Sequence, residues 1–326
     1  MDVSVYIPLY LGVILTAVTP PIIRLLPPRT GVWCLTAAAV TAAASWVVSL
    51  AMIAFTGLGR ITFVAQEGHW SATLWRGMDP VSIWTARAAG VVLIVCLLVF
   101  VRALVREMMA WIQINRLVGR LATPERLIFV DDDAPHAYAV GGRRPRIVVS
   151  SGLLRGLSTA ERRTVLAHES SHVRHRHDRH LMVLRLAAAI SPLLRMFVPA
   201  GELAVERWAD EETAATIGDR TLVARTVLRA ALAGAGTALR PHGSLAHASG
   251  DVGRRIKALM QAPPRPRWSV TAVAWLLLLA TISAPFYAAD NLNVLFNRAT
   301  QPHTEQVGVI KAGVNHHLVV RLTPPR

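Results

Sequence analysis

Residues 168 to 172 read His168-Glu169-Ser170-Ser171-His172. On a helix, a spacing of four puts both imidazoles on one face about a turn apart, where they can share one tetrahedral zinc. Glu169 lies about 100° round the helix, close enough to reach a metal-held water without being a ligand. This set of residue types suits metal-assisted peptide hydrolysis. Zinc lowers the pKa of its water to about 7 and polarises the scissile carbonyl, while the carboxylate takes the water proton and returns it to the leaving amine. A catalytic zinc takes three protein ligands and keeps one position open, so a third must come from elsewhere. The segment Gly201 to Asp210 offers Glu206 as that ligand, with Asp210 one turn on to accept a hydrogen bond from a ligand imidazole. Glu202, Glu211 and Glu212 are the rival carboxylates, Glu202 the strongest of them. The tetrahedral oxyanion needs a donor beyond the metal; Tyr138, His136 and Arg207 are the candidates, and the sequence does not choose among them.

The flanking residues say how these groups are carried. Ser158-Thr159-Ala160-Glu161 is a capping box that predicts the start of the HExxH helix. Leu127 to Val130 predicts a short strand ended by Asp131 to Asp133. Ala137 to Val140 and Arg146 to Val149, flanking Gly141-Gly142, predict a hairpin. Its strand around Tyr138 to Val140 is expected to present an edge on which a peptide adds as an extended strand, the alternative being a purely structural lid. His175, His177 and His180 alternate with Arg174, Arg176 and Arg179, which predicts a basic patch near lipid headgroups in preference to a second metal site. Leu181 to Val198 is apolar but broken by Arg185, Pro192 and Arg195. It reads as a buried or membrane-contacting segment, since charge inside a fifth span would be costly.

Composition supplies the frame. Of 326 residues, 53% are hydrophobic and 17% charged, and mean hydropathy is +0.40. Soluble domains carry about a quarter charged residues, so an ordinary cytosolic enzyme is not expected, and intrinsic disorder is excluded. Four stretches are apolar over roughly the 20 residues a spanning helix needs: about Val5 to Leu25, Trp33 to Leu58, Val81 to Leu104 and Trp268 to Ala288. The first begins with Asp2 and has no basic segment before it, so it reads as a span and not as a cleaved signal. Arg24 and Arg29 lie between the first two spans, Arg102 and Arg106 end the third, and Arg254, Arg255, Lys257, Arg265 and Arg267 precede the fourth. The bias of basic residues toward the cytoplasm therefore puts residues 105–267 inside the cell and the amino terminus and the tail outside. The net charge of +15 follows from that bias and from contact with anionic lipid; without aromatic interleaving or a recognition motif, direct nucleic-acid binding is not expected. Cys34 and Cys96 fall in predicted spans and read as packing residues.

The expected fold is a mainly α membrane protein of four transmembrane helices, with a cytoplasmic α+β zincin-like domain between spans three and four. The units are 1–104 (three helices), 105–267 (zinc metallopeptidase domain), 268–289 (fourth helix) and 290–326 (short extracytoplasmic tail).

HExxH followed by E-x-x-x-D, inserted between the third and fourth of four spans, resembles the BlaR/MecR-type integral membrane zinc peptidases (peptidase family M fifty-six). The segments Ala137 to Gly142, Ile147 to Leu154 and Arg174 to Asp178 look like that family's pattern, and the resemblance covers roughly residues 1–290. It implies zinc held by His168, His172 and Glu206, Glu169 as general base, and Asp210 orienting a ligand histidine. The antibiotic sensors of that family end in a penicillin-binding domain. Here the residues after the last span contain no S-x-x-K motif, so a β-lactam-acylated sensor is not expected.

The leading expectation is a regulatory zinc metalloendopeptidase of the plasma membrane. It would cut a cytoplasmic protein, by resemblance a transcriptional repressor, in signal transduction. The alternative is a quality-control or processing protease resembling HtpX and the CaaX-processing membrane peptidases. A catalytically silent membrane receptor or scaffold is a third reading.

Overall fold

The computed structural model describes residues 3–67, 72–73, 81–120, 126–143, 145–234 and 245–300. After a 3-10 turn over Val3–Tyr6 come α1 (Ile7–Ile23), α2 (Pro28–Leu58), α3 (Thr62–Glu67) and α4 (Ile83–Arg120). Next are β1 (Leu127–Val130), β2 (Ala137–Val140), β3 (Arg146–Ser150), α5 (Ser151–Gly156), α6 (Thr159–His175) and α7 (His177–Ile190). A 3-10 turn over Pro192–Met196 leads to α8 (Phe197–Ile217), α9 (Arg220–Gly234), α10 (Leu245–Leu259) and α11 (Trp268–Thr300). The protein is thus mainly helical with one small sheet.

Three helices among the described residues are long and apolar enough to cross a membrane, over Pro28–Leu58, Ile83–Arg116 and Trp268–Val294. The first predicted stretch departs from the expectation of four equal spans. It forms a 17-residue helix, about 26 Å long, shortened because its first residues take the 3-10 turn and its last end at Arg24 before the Pro27-Pro28 pair. It packs along α2 through small residues: a Cβ on Gly12 would meet Ser45 Oγ at 3.5 Å, and Ser45 Oγ donates to the Pro8 carbonyl at 2.7 Å. The last helix departs too, running eleven residues past residue 289, where the fourth helix is expected to end, so part of the expected tail continues it; residues 301–326, and 68–71 and 74–80 between the second and third predicted spans, lie outside the described residues. The third span continues without a break past Leu104 as far as Arg120, all within α4.

The sheet has the order β1-β3-β2. β2 and β3 form the expected hairpin, Ala137 opposite Val149 and Val140 opposite Arg146, while β1 runs parallel to β3. All of β3 is buried, which follows from its central place, and Ile147 and Val149 share a core with Leu153, Leu157 and the α6 residues Val165, Leu166 and Val173.

The apolar, interrupted segment Leu181 to Val198 is the point where this unit joins the helical bundle. Leu184 and Ala187 of α7, Leu194 of the 3-10 turn and Phe197 of α8 lie in one buried cluster with Leu15 and Ile23 of α1 and with Leu35, Ala38, Ala39, Ala42 and Ala43 of α2. His180 Nδ1 lies 3.0 Å from Thr36 Oγ1, and its ring meets Trp33 edge-on at 4.7 Å. The α7–α8 hairpin is therefore a wedge against α1 and α2, with its charges to one side: Arg185 pairs with Glu107 of α4 at 3.8 Å. The predicted basic patch is half corrected by the same geometry. Arg174, Arg176 and Arg179 are exposed, but His177 and His180 are buried at 1% and 8% exposure. Arg176 takes the left-handed conformation (φ 50°, ψ 49°), ends α6 and starts α7, and so turns these histidines inward.

The closest approach within the wedge is at Gly201. A Cβ there would lie 2.1 Å from Leu184 Cδ1 and 3.4 Å from Leu35 Cδ2. Overpacking a filled core costs typically 1 to 3 kcal/mol, so Gly201→Leu is expected to lower the detergent melting temperature by several degrees, as read by a thermal-shift scan; an unchanged melt would contradict this packing.

Candidate metal centre

The helix that carries HExxH is fixed at its start by the predicted cap. Ser158 Oγ accepts the Glu161 N–H at 3.4 Å, and Glu161 Oε2 accepts the Ser158 N–H at 2.9 Å. The Glu161 carboxylate is buried and also takes the Arg229 guanidinium at 2.9 Å. These contacts hold its pKa below the usual carboxylate range, the Ser158 amide and hydroxyl first and Arg229 after them. With its apolar side on the sheet, α6 turns His168 and His172 toward α8.

There the two histidines meet Glu206. His168 Nε2 is 3.1 Å from His172 Nε2 and 3.4 Å from Glu206 Oε2, and His172 Nε2 is 3.7 Å from Glu206 Oε1. Donors about 2.0 to 2.1 Å from a tetrahedral zinc stand about 3.3 to 3.4 Å from one another, so two imidazoles and one carboxylate at these separations fit that ion and leave a fourth position open. Among the described residues this is the only group of three or more His, Cys, Asp or Glu side chains placed to hold a metal.

Each member of the group is held from behind. His168 Nδ1 lies 3.2 Å from Asp210 Oδ1, the contact expected of Asp210, which is 2% exposed. His172 Nδ1 lies 3.0 Å from His177 Nδ1. Arg255 of α10 takes both acids: Nε and Nη2 donate to the two Asp210 oxygens at 2.7 Å each, and Nη1 sits 2.7 Å from Glu206 Oε2. In the sequence Arg255 stood only as one of the cations before the last span; its place at this centre has no local signal, because Asp210 lies 45 residues away.

The titrations follow this layout. Burial opposes charge on every group, but the hydrogen bonds that Asp210 and Glu206 accept from His168 outweigh it there and raise its pKa to about 10. His172 lacks a carboxylate at hydrogen-bond distance, and burial lowers its pKa to about 4. Against their own burial, Glu206 and Asp210 are both held below the carboxylate range, chiefly by Arg255 and His168. Burial pushes Glu169 up, and this is partly offset first by the His168 charge and then by the Ala139 backbone amide.

That amide belongs to the hairpin edge. His136 and Ser150 share a β2–β3 hydrogen bond, the Ser150 N–H donating to the His136 carbonyl at 2.9 Å. By antiparallel alternation Ala137 and Ala139 then aim their backbone groups away from β3, toward the HExxH helix.

The remaining candidates fall elsewhere. Tyr138 is 49% exposed and stacks on His136 at 5.8 Å; His136 also lies 3.8 Å from Asp132. The buried Arg207 Nε has no hydrogen-bond partner among the described residues. No hydrogen bond or ion pair joins these three to the triad among the described residues. Of the rival acids, Glu202 is exposed, Glu211 is taken by Arg220 at 2.6 Å, and Glu212 by Ser171, Arg174 and His175.

Removing one partner of a buried ion pair costs about 3 to 5 kcal/mol. Arg255→Met is thus expected to lower both the melting temperature and the zinc retained through gel filtration. Arg255→Lys, which keeps the charge but not the planar fork, should fall between. Wild-type melting and metal content in Arg255→Met would show the clamp to be dispensable.

Comparison with known proteins bears on this same segment. Residues 100–249 match the sequence model of Peptidase family M48, a stretch that holds His168, Glu169, His172, Glu206 and Asp210 but stops short of Arg255. The chain is 44% identical over 68 residues to "Protease HtpX homolog" of Acidiphilium cryptum (strain JF-5), covering 20% of this chain and 23% of that relative. It is 42% identical over 72 residues to proteins of the same name from Burkholderia cenocepacia (strain HI2424) and Paraburkholderia phytofirmans (strain DSM 17436 / LMG 22146 / PsJN), covering 20% of this chain and 25% of each. The chain thus spans about a quarter of the length of the curated relatives it matches. No solved structure matches it. The matched family is a different one from the BlaR/MecR-type peptidases that the motifs resemble, and these findings support an integral membrane metallopeptidase without the finer sensor type.

Proposed function

We propose that this protein is an integral membrane zinc-dependent endopeptidase acting in quality control or processing, in the manner the name of its HtpX-homolog relatives suggests. The observation that carries this is the His168, His172 and Glu206 triad, with Glu169 beside it and Asp210 behind it, inside the segment that matches Peptidase family M48. His168, His172 and Glu206 would hold the zinc. When bound, the ion would supply a Lewis acid for the scissile carbonyl and lower the pKa of a water to about 7. Glu169 takes the proton of the attacking water on its carboxylate and gives it to the leaving amine; burial, which raises its pKa, makes it the better proton carrier. Asp210 keeps the His168 proton on Nδ1, so that Nε2 faces the metal position. The outward backbone groups of Ala137 and Ala139 offer an edge on which an extended peptide pairs, bringing its main chain beside Glu169. Tyr138, His136 and Arg207 remain candidates to meet the oxyanion.

The proposed setting is the plasma membrane. The peptidase segment 105–267 faces the cytoplasm and the amino terminus the outside, as the arginines at 24, 29, 102, 106 and 267 support. α1 completes four membrane helices, and the lipid bilayer and a protein or peptide substrate are the partners. Cleavage of a transcriptional repressor is the second reading, favoured by the order of three predicted spans before the metal helix and one after it.

The test uses detergent-purified wild type and Glu169→Gln, with zinc content, casein cleavage and self-cleavage as readouts. About one zinc per chain in both is expected, with cleavage in the variant reduced at least 100-fold, the scale of a lost general base. Chelation should abolish wild-type cleavage, and zinc should restore it. Wild type without zinc would overturn the peptidase reading, and equal cleavage by both proteins would remove Glu169 from its role. Cutting of a folded repressor but not of casein would favour the regulatory reading.

A further inference from the structure

His177 is one of the most buried polar residues of the chain, at 1% exposure, and the mechanism above makes no use of it. Its backbone place is unusual. It is the first residue of α7, directly after Arg176, the only non-glycine residue with positive φ among those described. A left-handed residue other than glycine costs roughly 1 to 2 kcal/mol, and this one ends α6 so abruptly that the ring five residues after His172 points back at it. The two rings meet at 88° with centroids 4.9 Å apart, and Nδ1 faces Nδ1 at 3.0 Å. Trp208 at 4.7 Å and His175 at 5.8 Å close the other sides of the His177 ring.

Counting protons assigns the direction of that contact. A hydrogen bond between two ring nitrogens needs one N–H and one lone pair. His172 Nε2 faces His168 and Glu206 and must offer its lone pair to a metal, so the neutral ring carries its proton on Nδ1 and donates it. His177 accepts on Nδ1 and keeps its own proton on Nε2. That Nε2 is buried with no hydrogen-bond partner among the described residues. An orphaned buried donor costs about 1 to 3 kcal/mol, and a phenyl ring in this place would avoid that cost, so packing alone does not account for a histidine here.

We propose that His177 is a positioning residue for the metal centre: a neutral imidazole acceptor that fixes the tautomer and ring orientation of His172, opposite the Asp210 carboxylate that does so for His168. This rests on the zinc reading above. It gives the two ligand imidazoles unlike supports, one anionic and clamped by Arg255, the other uncharged and clamped by aromatic packing. An uncharged acceptor pushes less electron density into its ligand than a carboxylate would, which leaves a bound metal more electrophilic.

The test compares full-length, detergent-purified His177→Asn, His177→Leu and His177→Phe with wild type. Asn and Leu are close in size and branch alike, so they leave similar voids and differ in whether an acceptor faces His172; Phe keeps the ring volume without the acceptor. Zinc affinity is read by chelator competition, the ligand field by the visible spectrum of the cobalt-substituted protein, and folding by the melt of the metal-free protein. Loss of such a partner typically costs 10- to 100-fold in metal affinity. The expected result is at least tenfold weaker zinc binding and an altered cobalt spectrum in Leu and Phe, with Asn recovering most of both, while the metal-free melts of Asn and Leu agree. Equal zinc affinity in Asn and Leu would overturn the inference, whether or not Phe folds. Zinc binding by wild type together with equal binding by all variants would sink this inference and leave the peptidase reading standing. Absence of zinc from wild type would sink both.

Discussion

The arrangement depends on one buried carboxylate. Asp210 is 2% exposed and ionised, and a buried charge is tolerated only when paired and hydrogen-bonded. Its two oxygens are satisfied from two directions, by the His168 imidazole on one helix and the Arg255 fork on another. Three helices distant in the chain, α6, α8 and α10, are thereby brought to one point, and the same guanidinium steadies Glu206. Any displacement of α10 leaves two acids facing each other beside the histidines. The charge balance of the centre is thus a condition for folding as much as for metal binding.

Apolar packing attaches that centre to the first two long helices. Phe197 and Leu194 are buried against α1 and α2, and Phe197 begins the helix that supplies Glu206 and Asp210 two and three turns later. The α7 histidine His180 contacts Thr36 and Trp33 of α2, while His177, three residues earlier, reaches His172. One helix therefore touches α2 at one residue and the candidate metal centre at another. The stack continues through Trp208 to Arg29, whose guanidinium lies 5.9 Å from the indole ring. The candidate site is built onto the end of α2, without a flexible linker between them.

The sheet adds the third constraint. β3 is buried on both sides, so β2 must lie at an edge, and the alternation of its hydrogen bonds leaves Ala137 and Ala139 facing the metal helix. The Ala139 amide is among the groups that act on the Glu169 carboxylate, so this edge lies beside the HExxH helix.

Much of this was legible in the residues. The capping box, the HExxH helix, the hairpin around Gly141-Gly142 and the long apolar helices all rest on local spacing, and local hydrogen bonding and burial periodicity write themselves into neighbouring residues. The third acid was legible only as a choice among four, because carboxylates on one helix differ in what packs against them and not in their own pattern; the fold pairs Glu211 and Glu212 elsewhere, leaves Glu202 exposed and sets Glu206 beside the two histidines. Arg255 carried no signal at all, since a partner 45 residues away in the chain imposes no local periodicity on it. The histidines after the motif looked like a charged surface because they alternate with arginine, and a single left-handed residue, Arg176, inverted that reading. Sequence alone determined which chemistry the chain carries and on which helix. Tertiary structure decided which side chains complete it, because burial and the pairing of charges depend on elements that meet only in the folded protein.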